Sequence, residues 1–249
     1  MRPRSARRVA SWRLAACAAC LASTATAFAQ HQSSSATSTA AAASGQTVYE
    51  PGDIHPGNSR VYVYVGKTGL GHEHAVVGQV QQGRVRLDMP QNSGKIIFNM
   101  ASFAADADVA RQYIGLSGTT DASTQQEVSA NMLGQSVLDV AHYPTASFQI
   151  KSIERLSQSS QRGLPQYQLN GDFTLHGATQ PIQVVADAEE QSGWIHLRGG
   201  FTMLQTQYGI KPFAKAFGAL GVTDQLQVWG DFWLAKDRQI AQQTTGARR

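Results

Sequence analysis

The chain of 249 residues carries 21 Lys+Arg against 17 Asp+Glu, a net charge of +4, with only 15% charged residues, where about 25% is usual. That length holds one domain or two small ones. Five arginines (Arg2, Arg4, Arg7, Arg8, Arg13) and no acid fall in the first 29 residues, which leaves 16 positive and 17 negative residues beyond them and no basic stripe to neutralise nucleic-acid phosphates.

Residues 1–29 read as a secretory signal peptide. An arginine-rich start precedes a short apolar run, Leu14 to Leu21, and the segment ends in Ala27-Phe28-Ala29, an A-x-A cleavage pattern. The run is too short for a membrane span of ~20 residues, and no later stretch approaches that length. The expected location is therefore periplasmic, with secretion as the alternative. Both cysteines, Cys17 and Cys20, lie in this segment, so the rest of the chain has no disulfide, thiolate nucleophile or cysteine metal ligand. Residues 30–46 are small, polar and uncharged and read as a flexible leader. One consistent pattern over 47–237 argues for a single domain, and 238–249 read as a polar tail.

Within the domain the hydrophobic period is two. Val61, Val63 and Val65 alternate with Tyr62 and Tyr64, and Val85 and Leu87 alternate with Arg84, Arg86 and Asp88. Ile96, Phe98 and Met100 share one parity that Ile97 and Phe103 blur. Later segments repeat the alternation: Ala146, Phe148 and Ile150; Leu169 and Phe173; Ile182, Val184 and Ala186; Leu197, Phe201 and Met203; Val228 and Phe232. Eight such one-faced segments predict an antiparallel sheet with one buried side. Glycines in or beside the strands (Gly78, Gly171, Gly199, Gly230) mark bends. The prediction is all-β, an antiparallel β-barrel of about eight strands, with a flat sandwich as the competitor. The inward set is then Val63, Phe98 and Met100, with Phe148, Ile150, Leu169 and Phe173, and with Leu197, Phe201, Met203, Val228 and Phe232. It has no charge. These residues either fill one another's space or line a slot for one slender apolar ligand. Tyr62, Tyr64, Trp229 and Trp233 have the opposite parity.

One short helix is predicted, starting at a capping box Thr124-Gln125-Gln126-Glu127 and carrying Val128, Met132 and Leu133 up to Gly134. Residues 104–123, before it, are polar, and against the family resemblance described below they read as an insertion. His72-x-His74 is a candidate metal site, because alternation puts both imidazoles on one face of an extended strand. Two ligands are few, and a hydrogen-bonding role at the glycine-rich turn competes. His142 and His176 sit beside turns and read as structural. There is no G-x-S-x-G elbow, phosphate loop or H-E-x-x-H, and Glu189-Glu190 are expected in a solvated hairpin loop. The chain reads as a binding protein without enzymatic chemistry.

Gly171-Asp172-Phe173-Thr174-Leu175-His176-Gly177-Ala178-Thr179-Gln180-Pro181 resembles the G-x-L-T-L-H-G-V-T-K-P hairpin of the YceI-like family. Met132-Leu133 through Tyr143-Pro144-Thr145-Ala146-Ser147-Phe148, Phe201 through Tyr208-Gly209-Ile210, and Val222-Thr223-Asp224 resemble further stretches of it in the same order. The resemblance implies a lipocalin-like barrel exported to the periplasm. It also implies a polyisoprenoid or quinone-type lipid as the bound group, the apolar partner of a carrier, since some members hold such a chain. The sequence departs from the family at its start. Asp53-Ile54-His55 only echoes D-x-x-H-S, and Gly71-His72-Glu73-His74 marks a divergent G-H-x-H branch. Besides the lipid carrier, two readings stay open: a metal-binding or redox-linked module using His72 and His74, and a ligand-free barrel that binds a partner under stress.

Overall fold

The computed structural model describes residues 47–240; the stretches read as export signal and leader, and residues 241–249 of the tail, lie outside the described residues. After a two-residue strand, β1 (Val48–Tyr49), the alternating segments form eight long strands: β2 (Arg60–Gly69), β3 (His74–Val85), β4 (Gln91–Ala105), β5 (Thr145–Ser159), β6 (Pro165–Leu175), β7 (Ala178–Gln191), β8 (Trp194–Leu204) and, following the short β9 (Ala214–Lys215), β10 (Leu220–Ala235). Each long strand pairs antiparallel with the next, and β10 pairs back onto β2, with Val228 opposite Val63 and Gly230 opposite Val61. The sheet therefore closes as a barrel, and the sandwich alternative is excluded. Closure leaves no unpaired edge in the ring. The short β9 adds onto β10, while β1 pairs with β11 (Gln239–Ile240), the first part of the stretch read as a tail.

Because the ring is antiparallel, its connections alternate between two ends. At the lower end the segment 50–59 folds across the opening. Ile54 is buried there, bridged to Leu234, and its amide donates to the Gly83 carbonyl at 2.9 Å. Ser59 is fully buried and its hydroxyl accepts from the Trp233 amide at 2.9 Å. At the upper end lie the β2–β3 turn, the 205–219 segment and two helices between β4 and β5. The helices are α1 (Asp108–Ile114) and α2 (Ala122–Leu133).

Two expectations about helices are corrected. The stretch read as a polar insertion contains α1, so there are two helices. The predicted capping box also lies one turn too late: Asp121 is the N-cap of α2, accepting from the Thr124 amide at 3.0 Å. Both Asp and Thr suit an N-cap, and only the chain's path selects between them.

The blurred parity of β4 has a structural cause. Val77 pairs with Ala104 but Gln79 pairs with Asn99, so extra residues of β4 bulge out between them. The Ser102 hydroxyl holds the bulge, accepting from the Gln79 amide at 2.9 Å and donating to the Asn99 carbonyl at 2.6 Å. A bulge shifts inward parity by one, so Phe103 and Ala105 face the interior on one side of it just as Phe98 and Met100 do on the other. Gly78 makes room, since a Cβ there would lie 2.3 Å from the Phe103 ring.

Candidate ligand-binding site

The upper part of the barrel encloses a cavity of about 240 Å³. That exceeds the ~150 Å³ apolar cavity known to take up benzene. Val63, Phe98 and Met100 of β2 and β4, Phe148 of β5, and Leu169 and Phe173 of β6 line it. Leu197, Phe201 and Met203 of β8 and Val228 and Phe232 of β10 complete the inward faces. Ile150 is the member of the expected inward set that does not line the cavity. It is fully buried, and Gly94 pairs with both Ile150 and Val85, which places it in the packed lower layer with Ile54 and Leu234. Phe173 organises the aromatic wall, edge-on to Phe201 at 5.6 Å, to Tyr208 at 5.7 Å and to Phe98 at 6.3 Å. Such edge-to-face pairs are favoured by the ring quadrupole.

Sequence alternation missed the roof. Val128 and Met132 of α2, Val137 and Leu138 after it, and Phe213 also line the cavity. They come from non-strand segments whose inward direction only the tertiary path decides. Gly230 and Gly199, opposite each other on β10 and β8, line it with no side chain. A Cβ at Gly230 would lie 2.4 Å from the Phe232 ring.

Among the described residues no acid, lysine or arginine lines the cavity; its polar side chains are His74, Asn131 and Gln205, all from the upper end. Gln205 is held by its amide nitrogen donating to the Thr223 carbonyl at 2.8 Å. His74 is the first residue of β3, and its Nδ1–H donates to Asp106 Oδ2 at 2.6 Å. Asp106 is nearly buried, with φ of 57°, a backbone region that Asp tolerates better than most residues. Its other carboxylate oxygen accepts from the Ala75 amide at 3.1 Å and from Arg111 at 3.2 Å. Its backbone carbonyl accepts from Gln125 of α2 at 3.0 Å. One residue thus ties β3, the end of β4, α1 and α2 together. Burial pushes the Asp106 carboxyl up, but the hydrogen bonds of His74 and Ala75 and the positive field of His74 and Arg111 together hold it below the usual carboxylate range. Neither Asp106 nor Arg111 was singled out from sequence; an acid just ahead of a helix carrying an arginine one turn in was the available signal.

His72 lies in the exposed 70–73 turn, while His74 opens β3. Among the described residues no group of three or more His, Cys, Asp or Glu is arranged to hold a metal ion. His142 donates to Asp139 at 2.9 Å. His176 donates to the Tyr208 carbonyl at 3.2 Å and, with Gly177, supplies the two positive-φ residues of the β6–β7 turn, the pattern of a type I′ hairpin. Glu189 and Glu190 fall in β7 rather than in the loop, which is Ser192-Gly193. Glu189 meets Arg162 and Arg198, and Glu190 meets Lys236. On the outer face Tyr62 stacks on Tyr113 of α1, ring centres 3.7 Å apart, and Trp233 stacks on His196 at 4.3 Å. Burial, with the charge of Asp231 second, pushes the Tyr113 hydroxyl up to about 12.

The chain matches the family model described as the YceI-like domain over residues 53–232. No curated protein matches it. Among solved structures it is similar to BcnA of Burkholderia cenocepacia, at 14% identity and a TM-score of 0.48, covering 73% of this chain and 99% of that one. It is also similar to a polyisoprenoid binding domain from Saccharophagus degradans implicated in plant cell wall breakdown, at 11% identity and a TM-score of 0.46, covering 75% and 99%. A YCEI protein of Campylobacter jejuni is similar at 8% identity and a TM-score of 0.40, covering 72% and 86%.

Proposed function

The chain belongs to the YceI-like family, and on that premise we propose that it is an exported protein that holds an apolar, isoprenoid-type lipid, such as a polyprenyl or quinone tail, inside its barrel. The observation that carries this reading is the cavity of about 240 Å³, walled by inward aromatic and aliphatic side chains of all eight strands and roofed by α2. Each CH₂ of a chain moved there from water gains ~0.8 kcal/mol. With no charge of fixed sign in the wall, selection rests on shape and apolarity. Periplasmic location belongs to the same proposal and rests on the arginine-rich, A-x-A-terminated start of the sequence. No helix among the described residues is long and apolar enough to cross a membrane. The metal reading lacks a comparable support: among the described residues His72 and His74 belong to no group of three or more His, Cys, Asp or Glu placed to hold an ion.

The test is organic extraction of protein recovered from the cells that export it, followed by mass spectrometry. The outcome supporting the proposal is a stoichiometric isoprenoid-type lipid, lost in Ala186→Phe, which places a ring into the cavity wall. Protein that is repeatedly empty and takes up no added polyprenol would refute it.

A further inference from the structure

The upper end of the barrel carries an apolar edge that the cavity does not use. Phe217 is wholly exposed, Leu70 is 80% exposed and Leu220 is 40% exposed. They belong to two turns joined to each other. Leu220 pairs with Gly69 on one side and Lys215 on the other, and the Leu70 amide donates to the Ala219 carbonyl at 2.9 Å. Ala216 and Phe217 have φ of 51° and 57°, a left-handed conformation that residues with a Cβ adopt at a cost. Here that conformation projects a phenyl ring into solvent rather than back onto the barrel.

Three lysines surround the edge. Lys67, Lys211 and Lys215 are all exposed. Lys215 lies 5.4 Å over the Phe213 ring and 4.0 Å from Glu127. The neighbouring acids include Glu127, Glu73 and Asp224. Glu73 is engaged by the Tyr64 hydroxyl at 2.6 Å. Asp224, two residues past the Lys67 partner Val222, accepts from the Thr206 hydroxyl at 2.6 Å. Lys67 and Lys211 have no acidic partner among the described residues.

We propose that the turn 67–73 and the loop 214–221 form a docking edge that seats the upper end of the barrel on an anionic lipid surface, with Phe217, Leu70 and Leu220 inserted among the headgroups and Lys67 and Lys211 facing the phosphates. Three side chains on two tight turns cannot supply the ~800 Å² per partner of a stable dimer. A membrane interface needs only a few inserted apolar groups with adjacent cations. The edge is continuous with the roof of the cavity, because Phe213 and Val222, which bracket the loop, line it. Their backbones are joined by a hydrogen bond of 3.0 Å. Docking here would let an apolar cargo pass between bilayer and cavity without crossing water; that corollary rests on the proposed lipid carrier, and the docking itself does not.

Flotation with vesicles of phosphatidylglycerol and phosphatidylcholine, against pure phosphatidylcholine, tests the edge with protein recovered after export and its N-terminus determined by mass spectrometry. The wild type is expected to float with the anionic vesicles. Leu70→Ser with Phe217→Ser should lower binding about tenfold or more at an unchanged thermal midpoint, since both residues are exposed. Lys67→Gln with Lys211→Gln should lower it about fivefold per lysine and flatten its salt dependence. A Phe217→Trp chain should gain emission that brominated acyl chains quench. The proposal fails if the wild type binds neither vesicle, if Leu70→Ser with Phe217→Ser binds as well as the wild type, or if the emission gained in Phe217→Trp is not quenched. It also fails if the edge mediates only self-association, seen as a concentration-dependent dimer lost in the serine variant. Lipid extraction reads the cavity separately, so an empty barrel that still floats would refute the cargo and leave the edge standing.

Discussion

Asp106 illustrates how one side chain can hold several elements together while lying outside every hydrophobic pattern. Its carboxylate takes His74 at 2.6 Å and Arg111 at 3.2 Å with little solvent in reach. Removing one partner from a buried charge cluster leaves the others uncompensated. Asp106→Asn should therefore cost about 3 kcal/mol at neutral pH, read from denaturant midpoints. The sign of its pH dependence follows from the lowered folded pKa. A depressed carboxyl contributes stability that is complete above its unfolded value of about 3.9 and is lost as pH falls through the folded value. The gap between wild type and variant should then close below about pH 4; a gap that persists unchanged in acid would mean the loss is steric. The twelve inward residues read from alternation were accessible because each strand repeats one parity. Asp106 was not, because its partners come from positions 74, 75 and 111, a closeness that only folding creates.

Among the longer elements, α2 is lightly secured. None of its residues is fully buried, although Val128 and Met132 roof the cavity. Its polar ties to the barrel are the Ser129 hydroxyl, which accepts from the Ala105 amide at 3.0 Å, Gln125, which donates to the Asp106 carbonyl, and the exposed Glu127, 4.0 Å from Lys215. An element with few buried apolar contacts opens locally at low free energy. Hydrogen exchange should accordingly show α2 amides exchanging well before those of β6, and Asp121→Ala should speed them further by removing the N-cap. Protection of α2 equal to that of β6 would refute the roof as an opening element. The helix itself was legible, from Val128, Met132 and Leu133 at helical spacing. Its start was misplaced because Asp121 and Thr124 are both competent caps. The helix α1 was missed because Asp108–Ile114 is only seven residues long, and its anchor, the Tyr113 stack on Tyr62, spans two distant segments.

For the molecule as a whole, closure and the lower plug leave one apolar interior, packed below around Ile54, Val85, Ile150 and Leu234 and hollow above. A ligand that binds this folded interior and not the unfolded chain raises stability by mass action. An added medium-length polyprenol at one hundred times its Kd should stabilise the barrel by about 2.7 kcal/mol, seen as a rise in Tm that Ala186→Phe abolishes. An unchanged Tm at saturating polyprenol would argue that the interior is closed to it.

The amino-acid sequence by itself determined the strands, their buried faces and the antiparallel class, because a period of two is local and each strand repeats it independently. It also carried the family, through turn motifs such as His176-Gly177 whose backbone demands are local. Tertiary structure alone decided that β10 closes onto β2, that Ile150 packs while Phe148 lines a hollow, and that Phe103 faces inward after a bulge. It likewise decided that His74 serves Asp106 while His72 falls in the exposed turn before β3. Each of these depends on which distant strand or helix arrives alongside. Shear, bulges and covering segments set that arrival, and a single strand's alternation contains no record of its neighbour.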